Sequence, residues 1–333
     1  FRRVLFVGPT AFGKTNLFSF IAKLAQEKGS RIIIIAHRQE LILQISETLS
    51  KWGVDHGIIN PQFTPSYSKS VQVASVQTLM SRLEKIPEAF RVFGLVIQDE
   101  CHHLVATNTF GKVYQRLGSP RLLGVTATPE RADGKGLGES AGGLFQTLLE
   151  VIGVRELIDE GYLSDYRVYA PPSQIDLSAI KTKMGDFDKQ ALADQVDKPQ
   201  IVGDAVSHYA RICPGVPAIA FGVSIEHCEH IASGFRDAGF NFQVIDGTMD
   251  PTTRKKLIKG LGNEIHGLVS ADLISEGTDI PGVTAAIFLR PTKSLGLYIQ
   301  QAGRALRTVF ADGYDLSTRE GRLAAIAAGP KPT

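Results

Sequence analysis

Three features of the 333-residue sequence predict an α/β chain with two successive, mostly parallel sheets, each flanked by helices. Short apolar, β-branched runs alternate with segments of helical periodicity over residues 1–130, and the alternation begins again at Pro217. A glycine loop, GPTAFGKT (Gly8–Thr15), occupies the first strand-to-helix junction. The apolar run FGLVI ends in adjacent carboxylates, Asp99 and Glu100.

FRRVLFV (Phe1–Val7) reads as the first strand, and Thr15–Gln26 as a helix closed by Gly29. Between them Gly8, Pro9, Thr10, Ala11, Phe12, Gly13, Lys14 and Thr15 have the spacing GxxxxGK[ST]. Glycines at both ends let the backbone wrap a phosphate and aim amides at it from a helix N-terminus. Lys14 then reaches the β and γ phosphates and the Thr15 hydroxyl holds Mg²⁺. An ordinary glycine turn before a core helix is the plainer alternative, and the strand and helix on either side argue against it. Ala11 stands where such loops often carry glycine, and is expected to be tolerated.

RIIII (Arg31–Ile35) is a strand buried on both faces, followed by a helix with Leu41, Ile42, Ile45 and Leu49 on one side. Strand and helix in alternation imply parallel βαβ units. VQVASV (Val71–Val76) is a further strand leading into QTLMSRL. At the end of strand Phe93–Ile97, Asp99 is placed to hold Mg²⁺ and Glu100 to position or deprotonate a water. A solvated charge pair is the alternative. RLLGVTATPER runs a strand into Thr126, Ala127 and Thr128, whose hydroxyls can link the carboxylates to a moving partner.

Residues 134–143 are glycine-rich, and VIGVRELIDEGYL reads as a helix returning to the first domain. The Pro pair in YAPPSQ places the boundary at Tyr169, giving domains of 1–168 and 169–333 with 169–200 as a connecting segment. The second sheet has no GxxxxGK[ST] loop, but polar clusters follow its strands: SEGTD (Ser275–Asp279), and QQAGRALR (Gln300–Arg307) on the last helix. Arg304 and Arg307, three apart, are expected on one helix face, where two guanidiniums could neutralise charge on a bound triphosphate. Solvated helix arginines are the alternative.

Hydrophobic residues at 43% and charged residues at 21% are ordinary for a globular chain, and no apolar run approaches the roughly 18 residues that span a bilayer. A cytoplasmic location and no membrane partner are expected. The net charge of +2 does not by itself argue for nucleic acid. Cys101, Cys213 and Cys228 suggest no disulfide framework, and neither Cys101–His102–His103 nor His227–Cys228–His230 has zinc-site spacing. The basic run Arg254, Lys255, Lys256 and Lys259 reads as a solvated helix face.

Taken together, GPTAFGKT, DECH, TAT, SEGTD and QQAGRALR resemble motifs I, II, III, V and VI of superfamily 2 DEAD/DEAH-box helicases, of the phage and bacterial type near the XPB-like group. The resemblance covers nearly the whole chain and implies two tandem RecA-like domains, ATP with Mg²⁺ as cofactors, and a nucleic-acid partner, DNA favoured over RNA, for a monomeric core. It implies catalytic roles for Lys14, Asp99, Glu100, Gln300, Arg304 and Arg307, nucleotide contacts from Gly277 and Asp279, and a coupling role for His102 beside Thr126 and Thr128. AHRQELILQ, SVQT and Phe221–Ser224 resemble motifs Ia, Ib and IV, making Arg38, Gln44, Thr78 and Ser224 the expected sugar-phosphate contacts. Cys101 departs from the commoner alanine of the box and Thr278 from a frequent phenylalanine. Because the first residue is Phe1, already in a strand, and no closing strand follows QQAGRALR, both ends read as truncated. An RNA helicase, or an ATP-gated clamp that does not unwind, is the rival reading.

Overall fold

The computed structural model of the protein describes residues 2–131, 134–171, 175–183, 185–271, 280 and 282–329. The chain divides into two compact units, Phe1–Gly153 and Val154–Thr333.

In the first unit the order is β1 (Arg3–Val7), α1 (Lys14–Glu27), β2 (Ile32–Ala36), α2 (Gln39–Lys51), β3 (His56–Ile59), β4 (Val71–Ser75) and α3 (Val76–Arg82). It continues through β5 (Leu95–Asp99), α4 (Thr109–Arg116), β6 (Arg121–Thr126) and β7 (Thr147–Glu150). Among the described residues the strands form one sheet in the order β3-β4-β2-β5-β6-β1-β7, with every neighbouring pair parallel.

β2 explains why the run of isoleucines is needed. Ile32, Ile34 and Ala36 pack with Phe18, Ala22, Ile42 and Ile45 of α1 and α2, while Ile33 and Ile35 point to the opposite face with Leu79, Val113 and Tyr114 of α3 and α4. All five β2 residues are buried, so a polar residue at any of them would enter one core or the other. Each isoleucine contributes about 1.5–3 kcal/mol by leaving water. β3 and β7 were not legible in the sequence. Both are four-residue edge strands, too short to show a period.

The second unit comprises α5 (Val154–Asp159), a short antiparallel hairpin of β8 (Thr182–Lys183) and β9 (Asp186–Phe187), α6 (Lys189–Val196), α7 (Pro199–Ile212), β10 (Ala218–Phe221) and α8 (Ile225–Asp237). Then come β11 (Phe242–Val244), α9 (Pro251–Gly260), β12 (Gly267–Ser270), β13 (Ala285–Phe288), α10 (Leu295–Ala302) and α11 (Arg319–Ala327). Its sheet has the parallel order β11-β12-β10-β13. One face is covered by α7 and α8 through Val206, Ile231 and Phe235; the other carries Ile219, Phe221, Ile245 and Leu268.

Residues 154–168, expected with the first domain, pack within the second unit. The reason lies in the backbone: Leu163 bridges Arg307 and Ser164 N–H donates to Leu306 O at 2.8 Å. The tail then folds back as α11. Arg322, buried, donates from Nε to Glu160 O at 2.8 Å and stacks 4.1 Å over the Tyr162 ring. The connecting segment is also structured: Ile180, Phe187, Leu192 and Val196 form a small core around Val223. Among the described residues no helix is long and apolar enough to cross a membrane.

Candidate active site

β5, β6 and β1 are neighbours and run parallel, so the loops that follow them emerge side by side at the C-terminal edge of the sheet. In open α/β sheets that edge is where ligands bind. A direct bond joins two of the loops: Gly8 N–H donates to Thr126 O at 3.0 Å.

The glycine loop is held by Phe12 N–H to Pro9 O at 3.1 Å, and α1 begins as Leu17 N–H donates to Gly13 O. Gly13 has φ 87°, which explains the glycine there. Gly8 is a glycine for a different reason. A Cβ would lie 3.0 Å from Phe6 and 3.1 Å from Phe12, whose rings pack 5.8 Å apart. The expected tolerance of Ala11 is corrected: it has φ 69°, a left-handed conformation that costs a non-glycine residue about 1–2 kcal/mol.

α1 has no side-chain cap and no acidic residue in its first turn. Its leading N–H groups and the positive end of its dipole therefore favour an anion. Thr10 Oγ1 is buried with no hydrogen-bond partner among the described residues, and Lys14 Nζ folds back to Gly8 O at 3.4 Å. This donor-rich cradle fits phosphate oxygens.

Beside it, Asp99 ends β5 and is buried. Glu100 sits in the left-handed region at φ 47°, ψ 51°, its N–H donating to Asp99 Oδ1 at 3.0 Å. Such strain in a residue other than glycine costs about 1–3 kcal/mol and turns the side chain away from the strand direction. Glu100 Oε2 lies 3.4 Å from His102 Nδ1. The same nitrogen is 3.0 Å from Thr126 Oγ1, which donates to Thr128 O at 3.0 Å and accepts from Thr128 N–H at 3.1 Å. One hydroxyl proton serves Thr128 O, and a carboxylate only accepts, so the hydrogen-bond network assigns the His102 proton to Nδ1. His102, Thr126 and Thr128 thus form a hydrogen-bonded chain that Thr126 O ties to Gly8, and the buried Glu100 Oε2 faces its end across 3.4 Å without a hydrogen bond of its own among the described residues.

Cys101 packs beneath this chain, fully buried. Burial, then the Glu100 and Asp99 charges, push its thiol pKa well up. Gly124 makes room for it: a Cβ there would collide with the Phe145 ring and come within 2.8 Å of Cys101 Sγ.

The residues expected to meet a strand divide. Arg38 stands at the N-cap position of α2, and Gln44 is partly buried on that helix. β2 and β4 are neighbours, with Ala36 opposite Ser75, so Arg38 lies at the same sheet edge as the SVQT segment. Thr78 does not present its hydroxyl to solvent. It is buried and accepts from Ser75 Oγ at 2.7 Å, while its N–H donates to that oxygen, closing the cap of α3. Ser224 caps α8, accepting from His227 N–H at 3.1 Å, and stays partly exposed.

In the second unit Gln300 is buried on α10. Arg304 and Arg307 do not share a helix face, because α10 ends at Ala302. The chain continues in a turn, with Arg304 N–H donating to Gln301 O and Ala305 N–H to Ala302 O, before Arg307 is drawn into its bridge with Leu163. Arg304 is buried, and burial lowers the Arg307 guanidinium pKa. Gly277 and Asp279, with Ser275 and Thr278, lie outside the described residues. His230 pairs with Asp197 at 2.9 Å, and His227 and Cys228 are in the core.

Residues 1–131 match the family described as "Type III restriction enzyme, res subunit", and residues 203–309 match "Helicase conserved C-terminal domain". A 51.5 kDa protein of Lactococcus phage (isolate 7-9) is 35% identical over 300 residues, covering 90% of this chain and 61% of the phage protein. The putative ATP-dependent helicase IRC3 of Saccharomyces cerevisiae is 29% identical over 318 residues, covering 90% of this chain and 45% of IRC3. This chain therefore spans about three-fifths of the phage protein and under half of IRC3. Among solved structures, the ATP-dependent Type ISP restriction-modification enzyme LlaBIII bound to DNA superposes with a TM-score of 0.63 at 18% identity, covering 92% of this chain and 26% of that one.

Proposed function

We propose, for a chain that belongs to the superfamily 2 helicases, that it is an ATP-driven motor that moves along DNA. The observation that carries this reading is the chain from Gly8 through Thr126 and His102 to Glu100, which joins an anion cradle to a strained carboxylate.

In this reading the loop Gly8–Thr15 holds the phosphates of ATP, and Lys14 turns from Gly8 O to the β and γ oxygens. Thr15 and Asp99 would hold Mg²⁺, which when bound neutralises charge developing on the phosphates. Glu100 orients and deprotonates the attacking water, with His102 keeping the carboxylate in place. From the second unit, Gln300, Arg304 and Arg307 sense the γ-phosphate and supply positive charge, with Gly277 and Asp279 as further nucleotide contacts. Arg38, Gln44 and Ser224 hold sugar-phosphate without reading bases. Thr78 is left to shape the segment.

DNA is the proposed track because a relative, the DNA 3'-5' translocase XPB2 of Sulfurisphaera tokodaii, 24% identical over 349 residues, is named for it; the solved neighbours do not choose, since LlaBIII is bound to DNA and Dbp5 to RNA. The phage relative supports a setting in bacterial or phage-infected cytoplasm.

The test is steady-state ATP turnover of the chain with no polymer, single-stranded DNA, duplex DNA and RNA, beside Glu100→Gln. Stimulation by a DNA form, with turnover in the variant down about 10²-fold or more, is the expected result. Preferential stimulation by RNA would transfer the motor to that polymer. Turnover indifferent to every polymer would remove the motor assignment.

A further inference from the structure

Four rings bridge the proposed strand contact and the proposed water-activating carboxylate. His37, immediately before Arg38, meets the edge of His103 with ring centroids 4.9 Å apart. His103 lies 4.1 Å from His102, centroid to centroid. Phe110 of α4 forms the wall, stacked on His103 at 6.0 Å and 6.5 Å from His37.

Each end of this row is attached to something functional. At one end Arg38 Nε donates to His37 Nε2 at 3.3 Å, and Gln77 Nε2 holds His37 O at 3.3 Å. At the other, His102 Nδ1 faces Glu100 Oε2 and Thr126 Oγ1. The middle is anchored from behind: Asn108 Nδ2 donates to His103 O at 2.7 Å while its Oδ1 caps α4. Rings in van der Waals contact transmit a displacement because packed groups cannot both occupy one volume. Glu100, already strained, is the element most sensitive to a small shift in His102.

We propose that His37 and His103 are positioning residues that carry occupancy of the Arg38 contact, ring against ring, to His102 and so to Glu100. The inference rests on the motor reading, deepening it by naming how the strand regulates turnover. A docked phosphate draws Arg38 away from His37; the released His37 ring shifts against His103, and His103 resets His102 and the carboxylate. Neither residue touches ATP or the polymer in this scheme. Ring volume matters and the imidazole proton does not.

The experiment is polymer-stimulated ATP turnover of the whole chain with a homopolymeric single-stranded DNA, for the unmodified protein, His37→Ala, His103→Ala and His103→Phe. Expected is basal turnover within about 2-fold of the unmodified protein for all three, with maximal stimulation cut at least about 5-fold in the two alanine variants. His103→Phe, which keeps a ring, should restore more than half of the stimulation and serves as the folding control for His103→Ala. The polymer concentration for half-maximal stimulation should stay within about 2-fold, since the relay acts after binding.

Full stimulation in His103→Ala would overturn the relay. So would a His103→Phe variant as defective as the alanine one, or a half-maximal concentration that rises with the loss of the ring. An unmodified protein indifferent to this single-stranded DNA, and to duplex DNA and RNA run beside it, would take the motor reading down and the relay with it. An unmodified protein that responds, with alanine variants that respond equally, removes the relay alone.

Discussion

Thr126→Val tests the polar chain at its busiest atom. Valine keeps the shape of a side chain that is fully buried and removes one oxygen that makes three hydrogen bonds. The buried Thr128 N–H then has no acceptor in place, and leaving such a donor unpaired costs about 1–3 kcal/mol. Thr128 O loses its donor at smaller cost. His102 Nδ1 loses less still, because Glu100 Oε2, 3.4 Å away and without a hydrogen bond among the described residues, is placed to accept from its N–H instead. We expect a total near 2–3 kcal/mol, a large share of the roughly 5–15 kcal/mol that holds a domain together. Thr126→Ser keeps the oxygen and deletes one buried methyl group, for about 0.5–1.5 kcal/mol. The assay is urea unfolding with unchanged slope, paired with ATP turnover. Turnover should fall by up to about 10-fold in the valine variant, since each 1.4 kcal/mol or so lost from the transition state is a factor of ten, and much less in the serine variant. A valine variant as stable as the unmodified protein would refute the reasoning, as would a serine variant equally impaired.

Two further substitutions test other parts of the structure. Ala11→Gly removes about 1–2 kcal/mol of left-handed strain but adds about 0.4–1 kcal/mol of unfolded-state freedom, so the urea midpoint should hold or rise slightly; a clear drop would contradict the strain. Arg322→Ala breaks the bonds to Glu160 O, Leu316 O and Ser317 O and the stack on Tyr162, so limited proteolysis should cleave within 308–329 far sooner, and Arg322→Lys should rescue only in part because lysine lacks the planar fork. Cleavage at the unmodified rate in the alanine variant would show that α11 is held by other contacts.

His227 gives a pH dependence. Burial lowers its pKa, so the unfolded chain binds the proton more readily and stability is lost as pH falls below about 6.5, by at most about 1.4 kcal/mol per pH unit. His230, raised by Asp197, acts in the opposite sense but is largely exposed and contributes little. Urea melts between pH 7 and pH 5 should show the loss, and His227→Gln should flatten it. A variant with an unchanged pH slope would assign the loss to other groups.

The sequence by itself determined the elements that hydrophobic period and loop chemistry can encode locally. The isoleucine run of β2 allows burial on both faces and nothing else, and Leu41, Ile42, Ile45 and Leu49 lie on the buried side of α2. GPTAFGKT between strand and helix, and Asp99–Glu100 at the end of β5, were legible because their chemistry lies in residue type and spacing. What spacing does not encode is which strand ends lie side by side. Only the order β5-β6-β1 brings Thr126 against Gly8 and His102, and only β2 beside β4 and β5 lays His37 on His103 across 66 residues of chain. Adjacent histidines after Glu100 were visible in the sequence, but the ring that meets them was not. For the same reason local rules failed at both arginines and at Thr78. A three-residue spacing implies one helix face only while the helix lasts; α10 stops at Ala302 with Gly303 as its C-cap, and the backbone at 306–307 pairs with Leu163 and Ser164, distant in sequence. Thr78 was taken by a cap that forms only once α3 folds against the end of β4. Hydrogen-bond partners far along the chain decide such cases, and they exist only in the folded state.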